Sequence, residues 1–164
     1  MLGRIEPGLR RERLPSLRSE KNRRALAERL QKVTPETRAQ WGSLDAPKMM
    51  GHLRDSLDAG LGKLQVARHG PAAFRRFPLK HLAIYVVPMP KSAKAAPELL
   101  ARGVGDSPLD FEEERRQLLA GMERMAAMPK GSGPEHFLFG SMSYDQWNRL
   151  NWKHIDHHLR QFGS

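Results

Sequence analysis

The chain has no cysteine among its 164 residues. Disulfides and thiolate ligands are therefore excluded, and any thiol used in chemistry has to arrive with a cofactor or substrate. Aromatic residues make up only 7%, and almost none of them lie among the basic residues, which argues against a base-stacking platform for nucleic acid. No apolar run approaches the roughly 18 residues that a spanning helix needs. The N-terminus also has no apolar signal core, so the expectation is a cytoplasmic location with no membrane partner. Acidic residues are scarce relative to basic ones, 18 against 28, leaving a formal charge of +10. Such a surface concentrates anions, whether nucleic acid, an anionic surface or an acidic small substrate. Much of the excess lies near the start, where Arg4, Arg10, Arg11, Arg13 and Arg18 alternate with Glu6 and Glu12. That pattern reads as a solvated tail and disfavours nucleic acid as a partner.

The strongest signal is the last segment, Ser143 to Phe162, which holds three of the seven histidines. His154 and His158 are four apart, about 40° apart on a helix and one turn up, so both imidazoles can reach one ion. Leu150, Trp147, Phe162, Ile155 and Leu159 form an apolar arc at helical period with His158 near its middle. His157 falls outside that arc, at its rim. Paired histidines at this spacing also arise as ordinary core or surface residues, and two histidines do not complete a site.

Residues 1–18, broken by Gly3, Pro7, Gly8 and Pro15, read as a flexible basic arm, and residues 19–164 as one helical domain without repeats. A first helix is predicted from Ser19 to Lys32, with Leu26 and Leu30 on one face. Thr34-Pro35-Glu36 has helix-start chemistry and predicts a short helix ending near Trp41-Gly42. A second long helix follows Asp45 and runs to about Leu64 on the stripe Met49, Met50, Leu53, Leu57 and Leu61. His52 lies on the shoulder of that stripe beside the small Ser56 and Ala59. Residues 66–109 form an irregular crossover with one apolar run, Leu79 to Val87, read as a short helix because no second strand exists to pair with it. Asp110 caps a third long helix, Phe111 to about Ala127. The fourth begins at Ser141 or Ser143. The fold class is therefore all-α, a four-helix bundle with a long crossover between helices 2 and 3, an architecture that builds its sites from facing helices.

Several of these residues together resemble the DinB-like superfamily of metal-binding helical bundles. They are Trp41-Gly42, Met49-Met-Gly-His52-Leu-Arg-Asp55-Ser, Phe137-Leu-Phe-Gly140, and Trp147 followed by His154-Ile-Asp-His-His158-Leu-Arg-Gln161. The resemblance covers roughly residues 20–163; a proline typical of the family beside the loop histidine is replaced by Phe137. It implies a divalent ion, zinc or nickel foremost, held by His52, His154 and His158. It also implies a small-molecule substrate and thiol-dependent S-transferase or isomerase chemistry drawing on a low-molecular-weight thiol. A metal-dependent hydrolase at the same site, and a non-enzymatic basic helical module binding nucleic acid or protein, are the competing readings. Homodimerisation is a candidate assembly. Asp55, Asn151, Tyr144 and Gln161 are candidates to support the ligands or contact substrate.

Overall fold

A computed structural model of the chain describes residues 14–91, 95–100 and 109–164. The protein is all-α: the described residues contain no strand, only isolated bridges pairing Ser132 with Ser143 and His136 with Gly140. Four long helices dominate, α1 (Glu20–Leu30), α2 (Ala46–Gly60), α3 (Phe111–Ala127) and α4 (Tyr144–Gln161).

Each helix begins where a short polar side chain can accept from an orphan amide of the first turn. Ser19 Oγ accepts from the Asn22 amide, Asp45 from Lys48 at 2.8 Å, and Asp110 from Glu113 at 3.1 Å. Ser143 and Gln146 form a reciprocal capping box at the start of α4. The apolar positions of each helix then turn inward at helical period. Leu26 and Leu30 of α1, Met49, Leu53 and Leu57 of α2, Leu118 and Met122 of α3, and Ile155 and Leu159 of α4 all belong to one buried cluster. Helix α2 packs on both α3 and α4, and α1 touches the same pair. Close approach at the end of α2 depends on Gly60: a Cβ there would stand 2.6 Å from Met125 Cε and 2.8 Å from Trp147 Cε3.

Two expectations need correction. No helix forms between Pro35 and Trp41, only turns. The segment has cap chemistry but no apolar stripe to bury, and its backbone is taken up by α4: the Gln40 amide donates to Gln161 O at 2.7 Å, and Gln161 Nε2 donates to Trp41 O at 2.6 Å. The folded unit also begins earlier than residue 19. Leu17 is fully buried and its amide bonds Asn148 O at 3.2 Å. Arg18 pairs with Asp145 at 2.9 Å and donates to the carbonyls of Ala126 and Met128, satisfying the open C-terminal end of α3. The first 13 residues of the expected arm lie outside the described residues.

The Leu79–Val87 run is helical, one α turn over Leu79–His81 continuing as a π turn over Leu82–Val86. It is held by Ile84, which is buried, and by Lys153, whose ammonium donates to the carbonyls of Ala83 and Val87. Further along, a 3₁₀ turn at Pro97–Leu100 packs against α2 and buries Leu99. This turn brings a backbone carbonyl over the middle of α2, where His52 stands.

Candidate metal centre

Since α2 and α4 pack face to face, His52 meets the pair on α4. His52 Nε2 lies 2.9 Å from His154 Nε2, which lies 3.1 Å from His158 Nε2. The three candidate ligand atoms fall within 4.8 Å of one another and form a group that could hold a metal ion. His52 and His158 are 4% and 8% exposed, and His154 is partly exposed. Burial pushes all three imidazoles below their ordinary value, His154 well below it and His158 to about 3, so all three rings are neutral at neutral pH.

A neutral imidazole carries one proton, and the surroundings decide which nitrogen has it. His52 Nδ1 is 2.9 Å from Leu99 O, a pure acceptor, so Nδ1 is protonated. His158 Nδ1 is 2.7 Å from Gln161 Oε1, and the Gln161 amide is oriented by its own donation to Trp41 O. Its Nδ1 is therefore protonated as well. His154 Nδ1 is 3.1 Å from Ser56 Oγ, whose single proton is donated to Asn151 Oδ1 at 3.0 Å. Asn151 is fixed in turn by donation from its Nδ2 to Trp147 O at 3.2 Å. Toward His154 the serine can only accept, which places the third proton on Nδ1 too. All three Nε2 lone pairs then face one another with no proton between them. That arrangement is repulsive in a poorly solvated pocket and is relieved by a cation; supporting contacts of this kind are what orient histidine ligands. A donor set of three imidazoles leaves further coordination positions open, as catalytic rather than structural sites do.

The remaining candidates separate cleanly. His157 lies on the rim, its ring 6.1 Å from Trp41 and edge-on to His158, and it is not in the group. Asn151 and Gln161 support ligands as described. Asp55 is buried on α2 next to Ser56, whereas Tyr144 opens α4, about 15 Å along the axis from His154 at 1.5 Å per residue. His136 is buried but serves the loop before α4: its Nδ1 accepts from the amides of Leu138 and Phe139 at 3.0 and 3.3 Å, and its ring packs on Trp147. Sequence reasoning missed Ser56 as a polar partner, having noted only its small size. It also missed the carbonyls of Leu99 and Trp41, which carry no sequence signal because any residue supplies one.

Gln161→Ala is expected to raise the metal Kd by about 10–100-fold, the usual effect of losing a group that orients a ligand. Isothermal titration with zinc would show it, and an unchanged Kd would mean that His158 needs no such support.

Fold and site together define an all-α protein with a largely buried three-histidine group that could hold a metal ion. By sequence the chain belongs to the DUF1569 family, described as a protein of unknown function, whose family model matches residues 12–164. No curated protein and no solved structure matches it.

Proposed function

We propose that the protein is a divalent-metal-dependent enzyme of the DinB-like kind, acting on a small molecule, with its four long helices forming a bundle and a long crossover joining the second to the third. The observation that carries this reading is the inward convergence of three Nε2 lone pairs, with every Nδ1 proton engaged elsewhere. His52, His154 and His158 would hold the ion; zinc and nickel suit imidazole, as do iron and copper. Bound there, such an ion supplies Lewis acidity that lowers the pKa of a coordinated water or thiol toward or below neutrality. Leu99 O, Ser56 with Asn151, and Gln161 hold the three rings in the ligating tautomer. Of the three histidines His154 is the one that is partly exposed, so a small molecule would approach on its side.

Thiol-dependent S-transfer or isomerisation is the leading chemistry, in keeping with a chain that has no thiol of its own. Hydrolysis at the same site is the competitor, and the two separate by whether turnover requires an added low-molecular-weight thiol. A basic module that binds nucleic acid or protein without catalysis would leave the tautomer arrangement without a purpose.

Elemental analysis of untagged protein, run beside the triple variant His52→Ala, His154→Ala, His158→Ala, tests the site. About one equivalent of a divalent metal is expected in the wild type, as for a single site, and none in the variant at equal helicity. Equal metal content in both proteins would end the proposal.

A further inference from the structure

The crossover carries a second feature unrelated to the histidines. Phe77 is 83% exposed, Val86 63% and Val87 50%, and Leu79 and Leu82 are also exposed. Leu79, Leu82 and Val86 recur at i, i+3 and i+7 along the helical turns, so they project from one face, while Ile84 on the opposite side is anchored in the core. Large apolar side chains grouped outward on a folded surface mark an interaction site.

Charge decides what the face meets. No acidic residue stands between Asp58 and Glu98, whereas seven lysines and arginines do. Arg76 is exposed just before the apolar turns, and Lys80 lies within them, its ammonium on Ser141 O; Lys91 is exposed too, but its ammonium lies over the Trp41 ring, 4.2 Å from the centroid. The acid facing Tyr85 from α4 is Asp145, already paired with Arg18. A second copy related by two-fold symmetry would bring these cations against their own kind with no carboxylate of the segment to pair them. The complementary occupant is therefore anionic. Phe77 and Val86 are the most exposed large apolar side chains among the described residues, which suits insertion into a deformable apolar phase. Apolar projections beside cations are how peripheral segments hold an anionic bilayer surface.

We infer that the exposed apolar side chains of Phe77, Leu79, Leu82, Val86 and Val87, with Arg76 beside them, attach the protein to anionic lipid membranes. This is surface attachment, compatible with the finding that no helix among the described residues is long and apolar enough to cross a membrane. Co-sedimentation of the full chain with phosphatidylcholine vesicles containing phosphatidylserine is expected to show binding that added salt weakens, with little on pure phosphatidylcholine. Phe77→Ser with Val86→Ser should reduce that binding by about a hundredfold, at about tenfold for each lost apolar insertion, and Arg76→Glu should reduce it further. Both substituted side chains are exposed, so circular dichroism should be unchanged. The inference is overturned by equal binding to neutral vesicles, or by full retention in the double variant, which would assign binding to diffuse charge. It is equally overturned by light scattering that shows a dimer which the double variant converts to monomer, making the face a contact between copies.

Discussion

His158→Ala is expected to weaken divalent-metal binding by on the order of a hundredfold or more, since losing a ligand exceeds the 10–100-fold cost of losing a group that merely orients one. His157→Ala is expected to leave the affinity within about twofold of the wild type, because its ring faces Trp41 and lies outside the Nε2 cluster. Adjacent residues on α4 thus make opposite predictions, and the comparison controls for local helix propensity, alanine being favourable at both positions. The apolar face of Trp147, Leu150, Ile155 and Leu159 is untouched by either change, so helicity and metal content are independent readouts. Titration against a chromogenic chelator, at equal ellipticity, gives the result. If His157→Ala empties the site while His158→Ala leaves it full, the ligand pair on α4 is spaced three apart rather than four, and the assignment fails.

Much of this arrangement is legible in the sequence wherever periodicity and capping agree. Helix α3 occupies the range Phe111–Ala127 that its cap, acidic first turn and apolar spacing predict. The α4 pair is legible for the same reason: helical spacing fixes the relative position of His154 and His158 without knowledge of anything else. His52 is different, since one histidine on the shoulder of a stripe carries no indication of what it faces. It joins the site only because α2 packs on α4, and packing between distant segments is not encoded in local period.

Where local signals failed, tertiary bonds had overridden them. Thr34-Pro35-Glu36 has the chemistry to start a helix, yet the residues after it offer no apolar face, and hydrogen bonds to Gln161 hold Gln40 and Trp41 in a turn instead. Gln161 thereby links two functions that the sequence keeps apart: it fixes the path of the Trp41 segment and sets the tautomer of His158. The start of the folded unit was obscured by averaging, for one buried leucine at position 17 is lost among arginines when composition alone marks the boundary.

Acidification is expected to destabilise the metal-free protein through His136, apart from any effect on the three-histidine group. Burial, reinforced by His69 and Lys80, pushes His136 down to about 3 from an ordinary value of 6.5. Between those values the unfolded chain binds a proton that the folded chain refuses, so stability rises with pH across the window. The contribution is complete above about pH 6.5 and is lost at about 1.4 kcal/mol per pH unit as pH falls toward 3, roughly 3 kcal/mol by pH 4.5. Against a net stability of about 5–15 kcal/mol this is a large fraction. The variant His136→Asn isolates it, because an amide oxygen can still accept from the amides of Leu138 and Phe139 while nothing at that position titrates. Loss of ring packing against Trp147 should lower the variant's stability by an amount independent of pH. The three clustered histidines are common to both proteins, so of their contribution only the part of the His154 shift that His136 causes differs between them. Urea unfolding in the presence of chelator, repeated from pH 7 to pH 4.5, should therefore give stability curves that converge as pH falls. Parallel curves would mean that His136 accepts its proton in the folded state without penalty, and that its burial is no obstacle to charge.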